Sequence, residues 1–215
     1  MNRFAQFLDA LSYEPRRNGK LALMAAYFAE VPDPERGYAL AALTGGLDFR
    51  HAKPALIREL VTQRVDATLF ALSYDYVGDL AETTALIWPA KPGANRVPGL
   101  SDVVETLRGA AKSETPRLIE SWLDALDANG RWALIKLVTG GLRVGVSARL
   151  AKTAVAQFGD LPVAEVEELW HGLDIPYTEL FAWAEGTAAK PEHAALAPFR
   201  PVMLAHPIED KDFDR

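Results

Sequence analysis

A helical period that persists almost from end to end constrains this chain more than any other feature. Phe4, Phe7, Leu8 and Leu11 stand at i, i+3, i+4 and i+7, one face of a first helix. Leu23, Met24, Tyr27 and Phe28 mark a second helix after the EPRRNGK turn, and Pro32 stops it. PDPERGYALAAL opens a third, with Asp33 as N-cap, Pro34 at the first helical position and Glu35 favouring the dipole. Further helices are expected at roughly 53–64, 66–73, 76–87, 100–111, 114–127, 130–138, 147–158, 162–171 and 176–185. Period-two alternation is missing before the last residues. The fold class expected is therefore all-α, with about a dozen helices.

WPAKPGANRVPG (Trp88–Gly99) is the longest irregular stretch and divides the helices into two groups. After Gly186 the chain becomes proline-rich, then briefly apolar, then charged, which reads as a linker. The expected organisation is a helical domain over 1–186 and a linker over 187–215. A length of 215 residues, 49% of them apolar, suffices for a sizeable buried core. The absence of cysteine excludes a disulfide framework, a zinc ribbon and a thiol nucleophile. The N-terminal residues lack the apolar core and cleavage site of a signal peptide, and no apolar run is long enough to cross a bilayer. A soluble, cytoplasmic protein is expected.

One internal repeat stands out. LTGGLDFRHAKPALIREL (Leu43–Leu60) parallels VTGGLRVGVSARLAKTAV (Val138–Val155), and the TGGL cores lie 95 residues apart. Each copy ends a helix with Thr-Gly-Gly-Leu, turns, and begins another helix. An offset that long suggests a duplication rather than a solenoid.

Charge is distributed unevenly about this repeat. The net charge is −6, which taken alone argues against a polyanionic partner. Yet Ala128–Gly159 holds Arg131, Lys136, Arg143, Arg149 and Lys152 with no acid. Asp160–Glu185 holds seven acids and no Lys or Arg. A partner feels the local charge, not the average.

In the second copy the helix that includes Arg131 should end near Thr139, with Gly140 or Gly141 supplying a left-handed cap. Ser147 suits the N-cap of the next helix, where Leu150, Ala151, Ala154, Val155 and Phe158 form the buried stripe. Arg149 and Lys152 share the exposed side, and Arg143 sits in the turn beside Gly145, where a missing side chain lets a ligand approach. Free N–H groups, a positive dipole end and three cations make an anion site, better suited to a nucleic-acid backbone than to one small phosphate. On these features alone, a helix–helix corner with a solvated basic face is the simpler reading. GGLRVG lacks the preceding strand of a dinucleotide fingerprint, and no Gly-Lys-Ser/Thr follows it as in a P-loop.

Other candidates are weaker. Glu168 and His171 have the E-x-x-H spacing of helical di-iron sites, without a second such pair, so His171 reads as a helix C-terminal residue. His51, beside Arg50 and Lys53, is a surface residue that could touch an anion; His193 and His206 lie in the tail. Trp122 and Trp132 fall on apolar faces and are expected in the core. VGDLAETTAL (Val77–Leu86) holds a Gly-Asp turn that a tight interhelical connection explains.

Taken in order, YEPRRNGKLALMAAYF, VGDLAETTAL, GGLRVGVSARL and FRPVMLAHPIED resemble the N-terminal DNA-binding domain of bacterial ATP-dependent DNA ligases. The resemblance spans essentially the whole chain. It implies an all-helical, two-lobed, pseudo-two-fold unit that sits on the minor groove on both sides of a nick and helps the ligase encircle the duplex. The TGGL repeat is what such pseudosymmetry would leave in a sequence. By position, Arg143, Gly145 and Ser147 match the family's L-R-x-G-x-S turn, with Arg149 and Lys152 just beyond it. Arg50 and Lys53 are the candidates in the other half, although DFRHAKP does not reproduce the glycine turn. Arg16, Arg17 and Lys20 form a third basic cluster, with Lys20 opening a helix.

That family attacks ATP with the lysine of a K-x-D-G motif, and none of the eight lysines here stands in one. The resemblance thus implies a fragment whose residues 187–215 lead into an absent adenylation domain. It is expected to lack catalysis and cofactor, whereas the full-length enzyme would use ATP and Mg2+. The expected partners are nicked duplex DNA and the enzyme's own adenylation and OB-fold domains, in a monomer serving replication, repair or recombination. A rival reading is a helical protein-interaction scaffold using the acidic 160–185 surface.

Overall fold

The computed structural model describes residues 1–192 apart from Ala90, Pro92 and Ala94; His193, His206 and the FRPVMLAHPIED segment lie outside the described residues. Among the described residues every regular element is helical. The first half holds α1 (Asn2–Tyr13), α2 (Arg17–Glu30), α3 (Glu35–Leu43), α4 (Pro54–Thr62), α5 (Ala67–Val77) and α6 (Leu80–Ile87). The second holds α7 (Leu100–Gly109), α8 (Thr115–Ala125), α9 (Ala128–Val138), α10 (Ala148–Phe158), α11 (Val163–Leu169) and α12 (Thr178–Ala184). No helix among the described residues is long and apolar enough to cross a membrane.

The duplication runs deeper than the tetrapeptide. Arg36 and Arg131, 95 positions apart, are both buried. Each guanidinium donates to a carbonyl eight residues upstream, Arg36 Nη1 to Phe28 O at 3.1 Å and Arg131 Nε to Leu123 O at 2.7 Å. Those carbonyls belong to the last turns of α2 and α8, where backbone oxygens lack helical partners and a buried cation satisfies them. Packing follows the same symmetry. Helix α1 lies against α9 and α7 against α3; α2 lies against α10 and α8 against α4. Each half thus completes its core with helices of the other, and the buried apolar residues form one continuous cluster. Fully buried Phe4, Leu8, Leu11, Phe28, Leu134 and Phe181 are among its largest members, each contributing about 2 kcal/mol by removal from water.

Several local expectations are corrected. Helix α3 starts at Glu35 with Pro34 at the N-cap, and Asp33 makes no cap. Asp33 instead receives a fork from Arg36, Nε to Oδ1 at 3.0 Å and Nη2 to Oδ2 at 2.8 Å, because a buried guanidinium demands a counter-charge. Glu35 reaches across to the start of α7, accepting from the N–H groups of Leu100 and Ser101. The break expected between 73 and 76 falls later, at Gly78 (φ 75°), where Asp79 accepts from Glu82 N and opens α6. Helix α11 ends at Leu169, and His171 lies in a short 3-10 turn beyond it. Trp122 is buried as expected, but Trp132 is only half-buried. On α10 the buried residues are Ala151, Ala154, Val155 and Ala156, whereas Leu150 and Phe158 pack half-buried against the core.

Candidate nucleic-acid interface

Both TGGL segments form helix ends of one design. Thr44 Oγ1 donates to Leu40 O at 2.8 Å, and Thr139 Oγ1 donates to Ile135 O at 2.6 Å. The next residues, Gly45 (φ 74°) and Gly140 (φ 72°), take the left-handed conformation that only glycine adopts without cost. Gly46 N then returns to Ala41 O at 2.8 Å and Gly141 N to Lys136 O at 2.9 Å. The two turns face each other: Thr44, Gly45 and Leu47 of the first and Gly140, Leu142 and Ala148 of the second line one groove of about 270 Å³. Helix α10 starts from one bank at Ala148, and α4 follows the other after residues 48–53.

Beyond the cap the second turn is built as the sequence suggests. Ser147 Oγ accepts from Leu150 N at 3.1 Å and caps α10. Gly145 (φ 67°) is again left-handed and exposed. Arg17, the first residue of α2, joins Gly145, Ser147, Arg149, Leu150 and Thr153 around a shallow recess of about 260 Å³. The starts of α2 and α10 and two cations therefore border one patch, where Glu14 accepts from Arg16 N at 2.8 Å and Arg149 Nε faces Glu167 at 3.5 Å. Arg143 is exposed on the other side of the turn, and Arg16 is exposed at the N-cap of α2.

Two predicted contact residues are engaged within the fold. Lys20 is buried at 8% exposure, and α2 opens at Arg17, not at Lys20. Its Nζ donates to Leu11 O at 2.5 Å and to Val144 O at 2.6 Å. The ammonium thus ties the end of α1 to the floor of the glycine turn. Its position depends on Gly145, because a Cβ there would stand 2.9 Å from Lys20 Nζ. Lys152 is half-buried with Nζ 4.6 Å from the ring centre of Trp170. Burial lowers its pKa, with Glu167 opposing. Helical spacing alone could not reveal either partner, since both are supplied by distant segments.

On the opposite bank Arg50 and Lys53 are exposed, but Lys53 Nζ pairs with Asp48 at 3.1 Å. Arg58, which the sequence reading passed over, lines a recess with Pro54, Lys136, Thr139 and Gly141. Its place one turn into α4 was the available signal. Lys136 bonds Asp79 at 2.5 Å. Burial raises the Asp79 pKa, but Lys136 and the N–H groups of Glu82 and Ala81 outweigh that and hold it below the ordinary value.

Among the described residues no group of three or more His, Asp and Glu side chains is placed to hold a metal. No protein-family model and no curated protein matches the chain.

Proposed function

We propose that this chain is a helical DNA-binding module of the DNA-ligase type, gripping nicked duplex through its phosphate backbones so that strands can be sealed. The observation that carries the reading is the pairing of two equivalent glycine turns across one groove, each followed by a helix N-terminus and flanked by exposed cations. The two backbones of a duplex run antiparallel and are related by two-fold axes, so a pseudo-two-fold surface can meet both in the same way. Helix N-termini and Arg side chains suit phosphate oxygens and carry little base readout, which fits binding without sequence preference. The chain's resemblance to the ligase domain supplies the nick and the sealing reaction.

The acidic scaffold reading is less favoured because three carboxylates of the 160–185 stretch are engaged internally. Glu165 pairs with Lys190, Glu167 with Arg149 and Glu185 with Arg36.

Fluorescence anisotropy of nicked and intact duplexes at two salt concentrations tests the proposal. Arg143→Ala and Arg17→Ala should each weaken binding and lower the salt slope by about one. Lys152→Ala should bind like the wild type. Absence of salt-dependent binding in the wild type would sink the reading.

A further inference from the structure

A cleft separate from the Arg17–Arg149 recess adjoins Arg143. It measures about 360 Å³ and is formed by α1, α6, α9 and the second glycine turn. Trp132, half-buried, and Tyr13, 82% exposed, give it aromatic surface. Asn129, Asp9, Glu82 and Lys136 supply its polar edge.

We infer that this cleft receives an unpaired nucleobase from the strand whose phosphate lies at Arg143; the inference rests on the DNA reading above. Three features select this ligand class. The aromatic surface offers π-faces on which any base can stack. The edge mixes donors with acceptors: the Asn129 amide provides both, Lys136 donates, and the Asp9 and Glu82 carboxylates accept. That mixture fits the edge of a heterocycle, whereas two carboxylates would repel a second phosphate. Finally, Arg143 forms part of the wall, so a nucleotide bound there through its phosphate has its base beside the opening. A paired base inside the duplex cannot enter, so the occupant is a frayed or flapped nucleotide at the nick. The cleft would make the module sensitive to imperfect strand ends.

The test compares a flush nick with the same nick bearing a one-nucleotide flap, by anisotropy on wild type, Trp132→Phe and Trp132→Ala. The flap should bind about fivefold tighter than the flush nick, the low end of what one stacked base supplies. Trp132→Ala should abolish that increment while leaving the flush nick within about twofold, and Trp132→Phe should keep most of it. A 2-aminopurine flap added to the wild type gives a readout that needs no variant, its emission falling on stacking. Equal binding of flap and flush nick, equal loss on both with Trp132→Ala, or unchanged 2-aminopurine emission would each overturn the inference and leave the DNA reading standing. If neither duplex binds, both fall.

Discussion

The two glycine turns share a cap and part company immediately after it. Through Gly46 and Gly141 the backbone hydrogen bonds match one for one. Two residues later the equivalent positions are Asp48 and Arg143, opposite in charge. The first turn neutralises itself through the Asp48–Lys53 pair, and its helix opens with no side-chain cap. The second keeps Arg143 exposed, adds Gly145 and a Ser147 cap, and rests on the Lys20 ammonium. The cap is therefore a matter of folding, common to both copies. The charge beyond it is not: Arg143 stands where the first copy has Asp48.

The largest expected effect bears on what the halves share. Arg36→Met and Arg131→Met should each cost about 3 kcal/mol, since each strands buried carbonyl oxygens as well as losing charged hydrogen bonds. Their surroundings differ. Burial pulls the Arg36 pKa down, but bonds to Asp33 and Glu185 outweigh it and hold the pKa above the ordinary value. Burial lowers the Arg131 pKa, and the more distant Asp124 and Asp127 only oppose it. Thermal unfolding followed by circular dichroism should show both midpoints falling by roughly 9 °C. A midpoint unmoved in either variant would break the equivalence of the halves.

Next come the glycines. Gly45→Ala and Gly140→Ala should cost about 1 kcal/mol each, because both take positive φ and an added Cβ meets nothing within 4 Å. Gly145→Ala should cost about 2 kcal/mol, since its Cβ also presses on Lys20 Nζ. Urea denaturation of the three variants sharpens the comparison. Equal losses at 140 and 145 would mean that the ammonium exerts no constraint on the turn.

These contrasts mark what the sequence could convey. Local signals were legible: the period of α1, the glycine ends of α3 and α9, and the Ser147 cap all depend on neighbours within a turn or two. Long-range partners were not. Lys20 reads as a surface cation until α1 and the 142–147 turn close over it. Lys152 reads as exposed until Trp170 arrives from the 3-10 turn after α11. Trp132 reads as core because its helical face is apolar, yet that face borders a cleft. The buried arginines were visible as residues, but their shared bond to a carbonyl eight positions back emerges only once the helices are packed.

Lys20 makes that distinction measurable. If it acts by holding the turn, Lys20→Met and Arg143→Ala should each weaken DNA binding about tenfold, while the double variant loses little more than either alone. A direct phosphate contact by Lys20 would instead make the losses add to about a hundredfold. Reductive methylation of the wild type gives a check free of folding effects: Lys20 should stay unmodified with and without DNA, while exposed Lys53 reacts.

The smallest effect tests whether the first turn is a silenced copy of the second. Asp48→Asn removes the carboxylate that engages Lys53 and one negative charge from that bank of the groove. The exposed pair itself contributes little to stability, so the unfolding midpoint should hardly move. Binding of nicked duplex at low salt should tighten about threefold, and the salt slope should steepen by about one as Lys53 becomes free for a phosphate. Raising the salt should erase most of the gain, because both charges are exposed and screened. Unchanged affinity would mean that the duplex never reaches the first bank, and the grip would then belong to the second turn alone.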